Sequence, residues 1–269
     1  MNKELIKDYI FKKKFGQNFL KDENILKNIV SKSEVDNETL VIEIGVGAGY
    51  LTYYLSEVAK NVIGYEIDES LKDIINEQLK NRDNVEIIYN DFLKSNPIDD
   101  IKKYDYKKIY VVANLPYYIT TPIITKIIDD KIPVSKIVVM VQKEVGSRFN
   151  AKIGTKEYNS LTIFLNYYFE IKKLMDVSRN CFLPKPNVDS AIIEFKRKEN
   201  KYNVKDEELF FKLVRDSFKY KRKNLRNNLK GYDLLLIEKA LNELGKDLNV
   251  RGEALSLEDF IFISNYIRS

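Results

Sequence analysis

The 269 residues include no histidine and a single cysteine, Cys181. Without imidazole there is no histidine base and no His-relayed nucleophile, so hydrolases of the triad kind drop out. One cysteine cannot close an intramolecular disulfide, and a zinc site of the Cys/His type is excluded. Cys181 reads as a partly buried thiol rather than a nucleophile, because nothing basic adjoins it. No metal is expected. Apolar runs long enough to cross a bilayer are also missing. The N-terminal "MNKELIKDYIFKKKFGQNFL" is basic but lacks a continuous apolar segment, so it is not a secretory signal. A cytoplasmic protein with no membrane partner is expected. A strong charge imbalance is absent too: the net charge is +5, from 45 basic and 40 acidic residues. That average is too slight to establish a polyanion partner.

What is present is an ordinary globular composition, 44% hydrophobic, in a chain with room for one large domain and a small one. Residues 22–31, "DENILKNIVS", read as a helix capped by Asp22. From residue 40, apolar segments alternate with helical ones. "LVIEIG", "NVIGYEI", "VEIIY", "KIYVVA" and "KIVVMVQ" are strands. "YLTYYLSEVA", "DESLKDIINEQLKN" (capped by Asp68) and "TPIITKIIDD" (Pro122 in its first turn) are helices. Near-continuous Val/Ile runs separated by helices indicate a parallel sheet covered on both faces, an α/β fold. "YYFEIKKLMDV" and "SAIIEFKRK" read as later, antiparallel strands. Composition shifts near 197, which places a boundary there: residues 1–197, with a basic arm over 1–21, form the larger domain, and 198–269 a helical one. In the latter Phe211, Val214, Phe218, Leu225 and Leu229 make one apolar stripe, with basic residues around it.

Several strand ends carry chemistry. "VIEIGVGAGYLT" puts Gly45, Gly47 and Gly49 between a strand and a helix, where glycine permits a tight turn and close approach to a ligand. Glu66 ends the next strand, about 20 residues on, where an acid accepts ribose hydroxyls. Asp91 ends the third strand and Asn114 the fourth. Each alone could be a turn or cap residue; in a doubly wound sheet all four share the carboxyl edge, where ligands bind. A nicotinamide dinucleotide and S-adenosylmethionine both fit an acid at the ribose. The GxGxG spacing, with Tyr50 where GxGxxG would continue, and the stretch "ANLPYYITTP" favour the methyl donor.

"NLPY" reads as a clamp for a planar amine. The Asn114 amide oxygen and the Leu115 carbonyl are two acceptors, Pro116 offers no N–H, and Tyr117 supplies a flat face. Such a pocket suits direct methyl transfer to the nitrogen of an extruded base. Two basic runs would hold the flanking phosphates: Lys12, Lys13 and Lys14 near one end, and residues 210–230, with eight Lys or Arg against one Asp, near the other. Lys221, Arg222, Lys223 and Arg226 are the candidates there, and Arg148 is a further one. The plain alternative is that tyrosines pack in the core and charge runs are solvated faces.

"KKFGQNFL", "EIGVGAG", "ANLPYYITTPI", "VQKEVGSRF", "CFLPKPNVDSA" and "FKYKRKNLRNNL" occur in that order, and each resembles the ribosomal RNA adenine dimethylase family. The resemblance runs from about residue 12 to the end. It implies a Rossmann-like seven-stranded class I S-adenosylmethionine-dependent methyltransferase sheet with a small all-helical C-terminal domain. The implied reaction moves methyl groups from S-adenosylmethionine to adenine N6. Asn18 and Leu20 would line the donor with Gly45, Gly47, Glu66, Asp91 and Asn114. Glu66 would take the ribose and Asp91 the donor's adenine amine. Asn114, Leu115 and Tyr117 would hold the target adenine, with Phe182 as its second stacking face. The family has two branches, one acting on two adjacent adenosines of the 3′-terminal hairpin loop of 16S rRNA during small-subunit maturation, the other on one 23S adenine with macrolide resistance. "FGQNFL", "NLPYY" and "RGEALSLEDF" resemble the first. The expected partner is 16S rRNA in the immature small subunit, met by a monomer because the subunit presents one hairpin. A role chiefly as an assembly checkpoint is the other alternative. No organelle presequence is expected.

Overall fold

The structure, a computed structural model, describes residues 18–115, 119–199 and 202–268. In chain order the elements are β1 (Phe19–Leu20), α1 (Glu23–Ser33), β2 (Thr39–Ile44), α2 (Tyr50–Ser56), β3 (Asn61–Glu66), α3 (Lys72–Leu79), β4 (Val85–Tyr89), α4 (Pro97–Ile101), β5 (Lys108–Asn114), α5 (Thr120–Asp129) and β6 (Val134–Gln142). They continue as α6 (Lys143–Phe149), α7 (Ser160–Tyr168), β7 (Phe169–Val177), β8 (Phe182–Leu183), β9 (Ser190–Arg197), α8 (Glu207–Ser217), α9 (Leu225–Asn228), α10 (Leu234–Glu243) and α11 (Leu257–Ile267). Seven strands form one sheet in the order β4-β3-β2-β5-β6-β9-β7. The run from β4 to β6 is parallel, and β9 pairs antiparallel with β6, Val139 opposite Ile193. β1 and β8 make a separate antiparallel pair, Phe19 opposite Leu183 and Leu20 opposite Phe182.

Local chemistry explains the starts. Asp22 accepts the N–H groups of Asn24 and Ile25 and so caps α1, as the sequence indicates. Asp68 caps a 3₁₀ turn over Glu69–Leu71, and only from Lys72 does the α-helix proper run. Pro122 occupies the first turn of α5, where its missing N–H costs nothing. Every residue of β2 is buried, which is why apolar residues fall on both of its faces, with one acid, Glu43, among them.

Two compact units emerge. One runs to Gly146 and resumes over Lys172–Arg197; the other joins Ser147–Ile171 to Lys198 and the rest of the chain. The division therefore differs from a single boundary after 197. The reason is visible in the second unit's own core, where Tyr158, Ile163 and Tyr167 pack with Phe210, Leu213, Ile237 and Phe260. Tyr167 and Tyr168 end a helix, α7, instead of starting a strand; Asn159 caps it with its side chain on Leu161 and Thr162. The apolar stripe is corrected too. α8 ends at Ser217, and residues 219–223 form a turn before α9, so the stripe from Phe211 to Leu229 spans two helices and not one.

Candidate active site

The four strands β2, β3, β4 and β5 run parallel, so their carboxyl ends share one edge of the sheet. β2 lies between β3 and β5 at the point where the strand order reverses, the place where open α/β sheets bind ligands. Gly45 follows β2, Glu66 closes β3, Asp91 lies just past β4, and Asn114 closes β5. All four line one cavity of about 350 Å³, together with Asn18, Leu20, Gly47 and Leu115.

The glycine turn has a backbone reason. Gly45, Gly47 and Gly49 all have positive φ, 77°, 59° and 76°, a region that costs side-chain-bearing residues. At Gly47 space is short as well: a Cβ would lie 3.2 Å from Phe19 Cε1. The Gly47 N–H donates to Glu66 Oε2 at 2.7 Å, and the Asp68 N–H donates to Glu66 Oε1 at 2.8 Å. Both carboxylate oxygens of Glu66 are thereby fixed in position at the cavity wall. Glu66 is buried, and that burial raises its pKa against the backbone donors that lower it.

Glu43, inside β2, is a second buried carboxyl on the cavity wall that the sequence reading passed over. Burial pushes its pKa up to about 8; Thr52 acts against this, and the charge of Glu66 adds to it. Its Oε2 has no hydrogen-bond partner among the described residues. The signal was an acid in the middle of the apolar "LVIEIG". Tyr50 and the half-exposed Ile67 also line the cavity. Asp91 Oδ1 accepts from the Leu93 N–H at 3.0 Å, so Asp91 caps a 3₁₀ turn as well as facing the cavity.

Among the described residues one side-chain bond orients Asn114. Its Nδ2 donates to the main-chain carbonyl of Asn18 at 3.2 Å. A carbonyl can only accept, so the amide cannot be reversed, and Oδ1 is left as the acceptor. Asn18 itself is held by the strand that follows it, since β1 pairs with β8 and the Lys21 N–H donates to the Cys181 carbonyl at 2.9 Å. The Cys181 thiol lies 3.8 Å from Asp22 Oδ2, and burial first and that acid second raise its pKa.

Phe182 does not join the group. Its ring is 2% exposed, packed in the core behind the β1–β8 pair, and it is absent from the cavity lining. It pairs with Leu20, which does line the cavity. Tyr117, Lys12, Lys13 and Lys14 lie outside the described residues. Arg148, Lys221, Arg222 and Lys223 are exposed, all in the second unit. Arg226 is engaged in an ion pair with Glu238 at 3.1 Å.

The sequence pattern of the family described as "Ribosomal RNA adenine dimethylase" matches residues 9–268. The chain belongs to the ribosomal RNA adenine dimethylase family. It is 46% identical over 275 residues to proteins named "Ribosomal RNA small subunit methyltransferase A" from Bacillus mycoides and from Bacillus cereus, covering 98% of this chain and 94% of each relative. Among solved structures, a dimethyladenosine transferase from Plasmodium falciparum superimposes with a TM-score of 0.75 at 27% identity, covering 91% of this chain and 95% of that one. The 23S rRNA methyltransferase ErmE gives 0.72 at 25% identity, covering 93% and 100%. The fold is that of the class I methyltransferases, and the substrate of this rRNA methyltransferase is ribosomal RNA. Among the described residues no helix is long and apolar enough to cross a membrane.

As a dimethylase the chain uses S-adenosylmethionine, and the cavity suits it. The carboxylates of Glu66 and Asp91 line the cavity beside the protonated carboxyl of Glu43, and no Lys or Arg does so among the described residues. That lining complements a ligand with a sulfonium and an ammonium group. It would repel the pyrophosphate of a nicotinamide dinucleotide, the competing cofactor. Glu66 and Ile67, an acid and an apolar side chain, adjoin on the cavity wall.

Proposed function

We propose that the protein methylates N6 of two adjacent adenosines in the 3′-terminal hairpin loop of 16S rRNA, giving N6,N6-dimethyladenosines during small-subunit maturation in the cytoplasm. It acts as a monomer on the immature subunit. The observation that carries the reading is the fixed amide of Asn114 beside the Leu115 carbonyl, on the wall of the carboxyl-lined cavity. The names of the Bacillus relatives support the small subunit over the large one, as do "NLPYY" and "RGEALSLEDF".

The bound donor supplies an electrophilic methyl group on sulfur. The chain's part is to hold the acceptor nitrogen in line with it. Asn114 Oδ1 and the Leu115 carbonyl accept the two N–H bonds of the amine, which turns the nitrogen lone pair toward the donor side. Tyr117 provides the flat face. No strong base is needed, because a methylated, cationic nitrogen gives its proton to water readily. Alignment of this kind accounts for on the order of 7–11 kcal/mol of barrier lowering at best. An adenine inside a duplex cannot enter, so the substrate is a loop base or a flipped one.

The test is to incubate the protein with tritiated donor and small subunits that lack the hairpin modification. The RNA is then digested and the labelled nucleoside mapped. Label in N6,N6-dimethyladenosine from the 3′ hairpin is expected. Label only in 23S rRNA supplied alongside would transfer the chain to the macrolide-resistance branch.

A further inference from the structure

The turn between α8 and α9 is organised by one side chain. Asn228 Oδ1 accepts the Tyr220 N–H at 3.0 Å. Its Nδ2 donates to the Ser217 carbonyl at 2.9 Å and lies 3.3 Å from the carbonyls of Tyr220 and Lys223. The Lys223 N–H returns to the Tyr220 carbonyl at 2.8 Å. A single amide thus satisfies the backbone where α8 ends, and the side chains of the turn are not needed for it. Lys219, Tyr220, Lys221, Arg222 and Lys223 are all exposed, Tyr220 to 57%. The Lys221 ammonium donates to the Lys156 carbonyl at 2.7 Å and ties the turn to the loop bearing Ile153, itself 52% exposed. The carboxylates of this region are engaged on the flanking helices, Asp216 with Lys212 and Glu238 with Arg226.

An exposed aromatic ring on a rigid turn, with the Lys219 ammonium 5.6 Å from its centroid and further cations beside it, is a combination that binds unpaired nucleic acid: cations meet phosphates and the ring meets a base. We propose that Tyr220 is a stacking platform for an unpaired nucleobase of ribosomal RNA, presented by the turn that Asn228 holds, with Lys219, Arg222 and Lys223 on the adjoining phosphates. This rests on the reading that the basic turn meets rRNA. It adds a contact that differs from the cations in kind, since stacking is nearly indifferent to salt and phosphate binding is not.

Salt dependence separates the two. Binding of the full chain to unmodified small subunits is measured over a range of salt concentrations for four proteins. Tyr220→Ala is expected to weaken binding roughly 5- to 150-fold without changing the slope of log K against log salt. Tyr220→Phe, which retains the ring, is expected to bind as the parent does. Joint Lys219→Glu, Arg222→Glu and Lys223→Glu replacement is expected to weaken binding and flatten the slope. Charge reversal that acts while Tyr220→Ala binds normally would overturn the stacking role alone. Charge reversal without effect, with Tyr220→Ala also normal, would overturn both it and the reading beneath it. A Tyr220→Phe variant as weak as Tyr220→Ala would assign the contact to the hydroxyl and likewise overturn stacking.

Discussion

A carboxyl in the middle of a buried strand keeps its proton to a pH at which a surface glutamate has long lost it. For Glu43 the ordinary value of 4.5 becomes about 8 in the folded chain. Between those two values the unfolded chain releases the proton and the folded one retains it. The native state then binds more protons than the unfolded state, and stability falls as pH rises through that window. Glu43→Gln, neutral at every pH, removes the dependence. The melting temperature of the variant minus that of the parent should grow from pH 5 to pH 8, reaching the equivalent of a few kcal/mol; a difference that stays level would contradict the assignment. At the amine clamp, Asn114→Ala removes both the acceptor and the tie to Asn18. The expected loss in kcat is about 100-fold or more, with affinity for small subunits retained, as single-turnover and filter-binding assays would report. A variant that methylates at the parent rate would refute the clamp. Of these residues the sequence disclosed Asn114, Glu66 and Asp91, because polar groups at strand ends stand out. It hid Glu43, whose charge looked like part of a strand. Nothing in a local motif says whether an aromatic such as Phe182 faces a pocket or the core, and here it is buried.

At the level of elements, the strands were legible since two-sided burial leaves unbroken Val/Ile runs, as in β2, β5 and β6. α7 was not, because "SLTIFLNYY" is apolar on nearly every side and merges into the strand after it. The break after α8 escaped for another reason: hydrophobic spacing continues across it, and the signal for the turn is the distant Asn228, not a glycine or proline. The loop between β2 and α2 is the element most exposed to test. Gly47→Ala forces a Cβ into a left-handed backbone and toward the Phe19 ring. A destabilisation of about 1 kcal/mol or more is expected, read as a melting temperature lower by roughly 2–4 °C per kcal/mol. Calorimetry with S-adenosylhomocysteine should show weaker binding by about tenfold. Unaltered affinity would mean the loop adapts, and that its glycines serve the turn alone.

For the whole molecule, the split course of the chain matters most. Residues 147–171 belong with the helices beyond 198, so a fragment cut after Arg197 leaves Tyr158, Ile163 and Tyr167 without Phe210, Leu213 and Phe260. Such a fragment should aggregate or lose its cooperative melting transition; a monomeric, cooperatively melting fragment would show that the N-terminal portion suffices. The composition shift near 197 marked a real crossing of the chain, but composition cannot show which earlier segment returns to the other side of it. A similar long-range dependence governs the cavity. The Asn18–Leu20 wall is braced by Phe182 and Leu183, more than 160 positions later. During synthesis the glycine loop and the acids of the first strands emerge early, yet the brace comes out of the ribosome only after two thirds of the polypeptide has been made. Donor capture that needs this brace would wait until then, with a third of the chain still to be made.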